Sequence, residues 1–564
     1  MERRAFFQLL GMAAVAGVLP AVANKRNASP NYEFSAFGNA RVLHLTDTHA
    51  QLLPHHHREP EAWPTVAGAQ APRGATGQRL LDYYAVEPDG LAAHALTHLD
   101  YLRGAQEFGR VGGFAHLATL IDTLRATAGE DKTLLLDGGD SWQGSATALW
   151  TEGRDMVGAA NLLGIDAMTG HWEFTYPAGA IQRNVDAFSG AFLAQNITRA
   201  TGDAGGETGS RVFPPYLIKE VGERRLAVIG QAYPHTHAFN PPRFTSTWKF
   251  GFDLEALQQL TSELRERQAV DCILLLSHNG LHLDVIAAQQ VQGIDVILGG
   301  HSHRALPQPL VVKNSGGKTL VAAGGSHGKF IGVLDLEIGD GRLKDFRYRL
   351  LPVFSDYIAP EKKMAAYIAD VRRPFAERLA EPLAQTATLL YSSGALSTPW
   401  AEVIGEAQRR ASDADMGLTP GFRWGTTVLP GETITMEDIM AQLALTYPET
   451  YVSDLPGAFV KLMLEDQLDK AISVHAQRNQ DSDPLRLSGM LYDCSVGAEF
   501  PERISNLRFA DGKAIDQDRQ YRVAGWATTR SISPGPPIWD VVADYLRDIK
   551  TVELDGWRAP TLLG

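Results

Sequence analysis

The chain has 564 residues, and at roughly 100 to 200 residues per domain it holds more than one compact unit. Hydrophobic residues make up 44% and charged residues 21%, a globular balance that excludes a disordered tail, a collagen-like repeat and a polytopic membrane protein. A formal net charge of −13 without long like-charge runs excludes the basic stripe of a duplex binder, so no nucleic-acid partner is expected.

In chain order, Arg3-Arg4 precede a mildly apolar stretch ending at Ala21-Val-Ala23, which predicts a twin-arginine (Tat) export signal over residues 1–23 and a mature chain in the periplasm. Gln8, Gly11, Gly17 and Pro20 make that stretch a poor bilayer span, and nothing later approaches the roughly 18 apolar residues a span needs. No stable membrane association is expected. Five apolar runs then predict strands at Val42–Leu45, Thr133–Leu136, Leu226–Ile229, Ile273–Leu276 and Asp295–Leu298. Amphipathic segments alternate with them, and Gly112–Arg125 carries apolar residues at helical spacing. The class is α/β. Residues 50–110, proline-containing and bearing His55-His56-His57, read as a long loop over one face, with the histidines solvated. Glu361–Arg373 reads as a charged, solvated helix. The expected units are residues 24–357, a linker over 358–386, and a C-terminal domain over 387–564. Cys272 and Cys494 are too few for a disulfide framework and read as packing residues.

Chemistry gathers where the strands end. Asp47 and His49 follow the first strand, Asp140 ends Asp137-Gly-Gly-Asp140 after the second, and His171 lies in Gly170-His-Trp-Glu-Phe174. His278 follows a Leu-rich strand, and His301 and His303 lie in Gly299-Gly-His-Ser-His303. In an open α/β sheet ligands bind at the carboxyl ends of strands, so these seven residues are expected to meet in one crevice and bind metal. Mixed carboxylate and imidazole donors suit Mn, Zn, Fe or Co.

This order of motifs resembles the calcineurin-like metallophosphoesterase superfamily, in its 5′-nucleotidase branch with an added C-terminal domain. That resemblance implies a two-domain fold: an N-terminal metallophosphoesterase sandwich and a smaller C-terminal α/β domain. It implies one ion held by Asp47, His49, Asp140 and His303, and a second by Asp140, His171, His278 and His301. Where the phosphoesterase pattern reads Gly-Asn-His-Glu-Phe-Asp, this chain has Gly170-His-Trp-Glu-Phe-Thr175, so an asparagine ligand has become His171 and a catalytic histidine has become Trp172. Trp172 cannot donate a proton to an alkoxide leaving group.

The Gly-His-Trp-Glu-Phe-Thr-Tyr text, the insertion after Asp47-Thr-His49 and the export signal resemble the SoxB family. The resemblance implies a hydrolase with two Mn(II) ions, Zn, Fe or Co being alternatives. It would release sulfate from a thiosulfonate borne on a cysteine of a SoxYZ carrier. Arg423, in Gly421-Phe-Arg-Trp-Gly425, matches a substrate-binding arginine and would offset the anion's charge, while Trp172 would wall the pocket. Left open from the residues are a surface arginine stacked on Trp424, and His235 and His237 as pocket-lining groups. A periplasmic 5′-nucleotidase or cyclic phosphodiesterase, and a non-catalytic binding protein, stand as the alternative functions.

Overall fold

The computed structural model describes residues 32–62, 74–200, 207–473, 475, 478–530, 534–555, 557 and 559–563. The expected export signal lies outside them. No helix among the described residues is long and apolar enough to cross a membrane.

Twelve strands form the two large sheets of the N-terminal part. In chain order they are β1 (Ala40–Leu45), β2 (Thr133–Asp137), β3 (Ala167–Met168), β4 (Ala191–Phe192), β5 (Tyr216–Val221), β6 (Arg224–Gln231), β7 (Cys272–Ser277), β8 (Val296–Gly299), β9 (Leu310–Asn314), β10 (Gly317–Ala323), β11 (Phe330–Gly339) and β12 (Arg342–Pro352). One sheet runs β12-β11-β1-β2-β3-β4 and the other β9-β10-β8-β7-β6-β5. In the first, β1 to β4 run parallel and β11 and β12 add antiparallel at one side; in the second, the central run β10-β8-β7-β6 is parallel and both edge strands, β9 and β5, pair antiparallel. Every residue of β1, β2, β7 and β8 is buried, which is why these strands read as unbroken apolar runs and not as alternating ones.

Successive side chains point to opposite faces of a strand, so one strand feeds two cores. Val42, Leu134, Leu136, Leu274, Leu276 and Val296 meet between the two sheets, and Cys272 packs among them. Leu43 and Leu135 face outward under helix Phe114–Ala128, while Ile273, Leu275 and Ile297 face helices Leu254–Arg267 and Leu281–Gln290. The result is a four-layered helix–sheet–sheet–helix sandwich. Truncating a fully buried leucine such as Leu135 to Ala would cost about 2–5 kcal/mol.

Three expectations need correction. Residues 50–110 are not an open loop: helices Gly77–Tyr84, Leu91–Leu96 and Tyr101–Phe108 form there, and Leu80, Leu81 and Ala93 give them a small core. Buried Lys329 fastens the segment to the sandwich through Glu59 (2.9 Å) and the His57 carbonyl (3.2 Å). The His55–His57 run is likewise not solvated, since His55 and His57 are 8% and 6% exposed. Helix Lys362–Arg372 is charged on one side only. Its carboxylate cap Glu361 accepts from Lys363 and Met364, and Met364 and Ile368 are buried against the sandwich.

The C-terminal part has a four-stranded sheet ordered Thr450–Pro456, Gln520–Trp526, Met416–Thr419 and Arg486–Ser488, and a three-stranded one that includes Pro382–Thr386. Helix Pro399–Ala411 starts where the Thr398 side chain accepts from Ala401 N and proline occupies the first turn, a good N-terminal signal. Both cysteines are free and buried.

Candidate metal centre

The parallel strands deliver the expected residues to one place. Asp47, His49, Asp140, His301 and His303 all sit just past strand ends with φ between 45° and 68°. That left-handed region is tolerated best by short polar side chains and costs most residues about 1–2 kcal/mol, so these turns carry strain of the kind kept at functional sites. Glycine makes the close approach possible: a Cβ on Gly138 would stand 2.4 Å from Thr46 Oγ1, and one on Gly300 would meet the same oxygen and, at 2.9 Å, His278 Nδ1.

Two buried groups of nitrogen and oxygen donors result, Asp47, His49, Asp140 and His303 in one and Asp140, His171, His278 and His301 in the other, each with its donor atoms within 4.8 Å of one another. Asp140 belongs to both. Its Oδ2 lies 3.0 Å from His278 Nε2 and 3.9 Å from His49 Nε2, and its Oδ1 lies 3.4 Å from His171 Nδ1. Asp47 Oδ1 is 3.4 Å from His303 Nε2, and the Nε2 atoms of His49 and His303 face each other at 2.9 Å.

The donor set fits a pair of divalent ions. His278 Nδ1 points at the Gly138 carbonyl at 2.6 Å, and a carbonyl only accepts, so Nδ1 carries hydrogen and Nε2 is left facing the two carboxylates. Burial drives His49, His171, His301 and His303 down, toward the neutral imidazole that ligates metal. Burial also pushes Asp47 up, while for Asp140 it is outweighed by His278 and His171, which hold that carboxyl well below its usual range.

Glu173, which the sequence reading passed over, organises the loop beneath. Its carboxylate accepts four backbone N–H groups: Ser141 (2.7 Å) and Trp142 (3.3 Å) on Oε1, Asp140 (3.2 Å) and His171 (2.8 Å) on Oε2. Trp172 N donates to Asp140 Oδ1 at 2.7 Å. One Gly-His-Trp-Glu turn therefore supplies a donor imidazole, orients the shared carboxylate and ties down the loop that bears it.

Trp172 is buried beside the two groups. With Phe422 and Trp424 it lines a cavity of about 30 Å³ over the two groups, closed further by Phe239, Arg423 and Asp483. Trp424 stacks on Phe422 at 4.1 Å, and Trp172 meets Trp424 edge-on at 4.9 Å. Arg423 is 8% exposed and is not stacked on Trp424: Nη2 donates to the carbonyls of His301 (2.7 Å) and Asp481 (2.8 Å), and Nη1 reaches Asp483 Oδ1 at 3.4 Å. His237 is exposed and outside the cavity lining, whereas His235 packs on Tyr233 at 5.7 Å, whose ring in turn stacks on His301 at 4.0 Å.

His327 is a further buried imidazole that sequence reasoning missed. Its ring stacks on His57 at 4.0 Å and lies 5.7 Å from His49 and 5.6 Å from His303, and the backbone N–H of His327 donates to the Asp47 carbonyl at 2.7 Å. The signal was available: Gly324-Gly-Ser-His327 follows the apolar end of β10, the same slot the other donors occupy.

Comparison with known proteins agrees with this geometry. Residues 383–531 match the 5′-nucleotidase C-terminal domain family. Bovine 5′-nucleotidase is 30% identical over 246 residues, an alignment spanning 41% of this chain and only 42% of that protein. The solved 5′-nucleotidase precursor of Thermus thermophilus covers 93% of this chain and 99% of its own at TM-score 0.73 and 21% identity, a likeness of fold alone. Sulfate thiohydrolase SoxB of the same organism is 32% identical, with 94% of this chain and 98% of that one superposed at TM-score 0.89. The chain belongs to the SoxB family of hydrolases, within the 5′-nucleotidase branch of the calcineurin-like metallophosphoesterases.

Proposed function

We propose that this chain is a periplasmic sulfate thiohydrolase that uses two Mn(II) ions to release sulfate from a thiosulfonate held on a cysteine of a SoxYZ-type carrier. The observation that carries the reading is the lining of the small cavity: its imidazoles, His49, His171, His301 and His303, all belong to the two donor groups. None is free to protonate a departing alkoxide. Asp483, the remaining acid beside Asp140, is engaged by Arg423 at 3.4 Å and Arg486 at 2.8 Å. A perthiolate is far less basic than an alkoxide and leaves without an acid, so a site walled by Trp172 suits sulfur chemistry.

When bound, the ions would supply a water acidified to a pKa near 7 and would polarise the sulfonate oxygens. The chain's own residues do the rest. Trp172, Phe422 and Trp424 keep bulk water away and leave a dry wall for the sulfur atoms, and the Arg423 guanidinium brings positive charge to the anion's side. The balanced reaction is carrier-Cys–S–S–SO₃⁻ + H₂O → carrier-Cys–S–SH + HSO₄⁻.

The sizes of two adjoining cavities support delivery on an arm. The cavity over the donor groups is about 30 Å³, while a groove of about 720 Å³ adjoins it through Phe239, Gly421, Phe422 and Asp483. A thin peptide lying in that groove would place a terminal sulfonate at the ions while its folded body stays outside. Export by the Tat route rests on Arg3-Arg4 and suits a chain that takes up metal before crossing the membrane.

The nucleotidase reading draws support from the match of residues 383–531 to the nucleotidase C-terminal domain and from the identity with bovine 5′-nucleotidase. Side-by-side assays separate the two. Sulfate from a carrier thiosulfonate should be released orders of magnitude faster than phosphate from AMP, and faster than sulfate from free thiosulfate at equal concentration. AMP hydrolysis at a matching rate would overturn the sulfur reading, and equal rates on free thiosulfate would overturn delivery on an arm.

A further inference from the structure

The C-terminal half touches the second donor group directly. The His301 ring Nε2 lies 2.9 Å from the carbonyl of Gln480, which also accepts the Tyr233 hydroxyl at 2.7 Å. A carbonyl can only accept, so His301 carries its hydrogen on Nε2, which leaves Nδ1 as the nitrogen with a lone pair to offer the group of Asp140, His171 and His278. The next residue, Asp481, shares Arg423 with His301: one guanidinium nitrogen bonds both main-chain carbonyls. The turn that presents these carbonyls is itself fixed. Asn479, 1% exposed, donates to the Ser473 carbonyl at 2.6 Å and accepts from Asp481 N at 2.9 Å, while Gln480 N donates to the Lys470 carbonyl at 2.7 Å, so the turn hangs from the end of helix Gly457–Ile472.

We propose that the segment Asn479–Asp483 is a positioning element of the metal centre, through which the C-terminal half sets the tautomer and aim of His301. Two consequences follow. Tight metal binding at the group of Asp140, His171, His278 and His301 requires the two halves to be docked. The other group, Asp47, His49, Asp140 and His303, has no such contact with the turn among its hydrogen bonds and should be indifferent to it. Asn479 and Tyr233 are positioning residues in this scheme, since each acts on His301 through the Gln480 carbonyl.

The inference rests on the metal reading of the two groups, and its test keeps the two apart by using metal alone. Metal-free full-length protein is titrated with Mn(II) and the two binding steps are resolved, with His49→Ala run in parallel to mark the step that belongs to the other group. Asn479→Ala should weaken only the unmarked step, by the 10–100-fold typical of losing a partner that orients a metal ligand. Tyr233→Phe, which keeps the stacked ring and so the fold, should weaken the same step about 5-fold, the worth of one neutral hydrogen bond. Parent protein that binds fewer than two ions would defeat the metal reading itself. Parent protein with two ions, but with variants whose two steps are both unchanged or both weakened alike, would defeat this inference and leave that reading standing.

Discussion

Removing the Asp140 side chain tests the shared carboxylate in two separable ways. In Asp140→Ala each donor group loses one member. Since losing a mere orienting partner costs a metal site 10–100-fold, losing a shared ligand should weaken each ion by at least roughly 100-fold. The substitution also injures the metal-free protein. Trp172 N loses its acceptor at 2.7 Å in a buried site, which costs about 1–3 kcal/mol. Alanine at a φ of 58° adds about 1 kcal/mol or more. Together these predict a metal-free protein destabilised by roughly 2–4 kcal/mol. Asp140→Asn keeps an acceptor for Trp172 and tolerates the left-handed backbone but offers one neutral oxygen in place of a shared carboxylate, so it should lose less metal than Asp140→Ala, and less stability. Metal content of the dialysed proteins and denaturant unfolding of the metal-free forms measure the two effects. Asp140→Ala that kept two ions per chain and full turnover would refute the shared-ligand geometry, and equal stability of the two variants would refute the role given to the Trp172 hydrogen bond.

Trp172→His should leave sulfate release standing while raising phosphoesterase activity on a simple phosphate monoester; loss of sulfate release with no change in fold would place Trp172 in the chemistry itself. In Glu173→Gln an amide NH₂ must face two of the four backbone donors that the carboxylate now accepts, so we expect a loss of roughly 2–4 kcal/mol in unfolding free energy and weaker metal binding. Unchanged values for both would show that the loop is held by something else. Glu402 gives a pH test away from the site: burial first, then Glu406, pushes its carboxyl up to about 7. The folded state therefore binds its proton more tightly than the unfolded chain, and this group's contribution falls as pH rises from the unfolded carboxyl range to about 7. Glu402→Gln should accordingly stabilise by on the order of 1 kcal/mol above pH 7 and have no such benefit near pH 4, as read by unfolding at the two pH values. A gain that was larger at low pH would contradict the sign.

Much of the sandwich was legible because its central strands are buried on both faces, so runs such as Leu134-Leu-Leu136 and Cys272–Leu276 stand out as continuous apolar text. Six of the seven donors were legible for a related reason, each coming among the first polar residues after such a run, whereas His171 follows only the two-residue strand Ala167–Met168 and was read from its Gly-His-Trp-Glu-Phe text. Residues that act from elsewhere were not legible. Glu173 lies in a turn whose histidine drew the attention, and its role depends on four N–H groups that no spacing rule reveals. Gln480 contributes a main-chain carbonyl, which has no residue signature. The helices within residues 50–110 are only six to eight residues long and are set among prolines and glycines, too short to stand out from the loops around them, and the burial of His55 and His57 depends on Lys329 and His327 from far along the chain. Arg423 lines the cavity, but its hydrogen bonds to His301 and Asp481 were not foreseeable, since both partners are carbonyls.

The central claim is hydrolysis at the sulfonate sulfur of a carrier-borne thiosulfonate. It is tested most directly by running the reaction in ¹⁸O-labelled water with Mn(II)-loaded protein, and weighing both products by mass spectrometry. The account predicts sulfate carrying one solvent oxygen, and a carrier lighter by SO₃ that ends in a persulfide on its cysteine. Sulfate without solvent oxygen, or an unchanged carrier beside brisk release of phosphate from AMP, would contradict it.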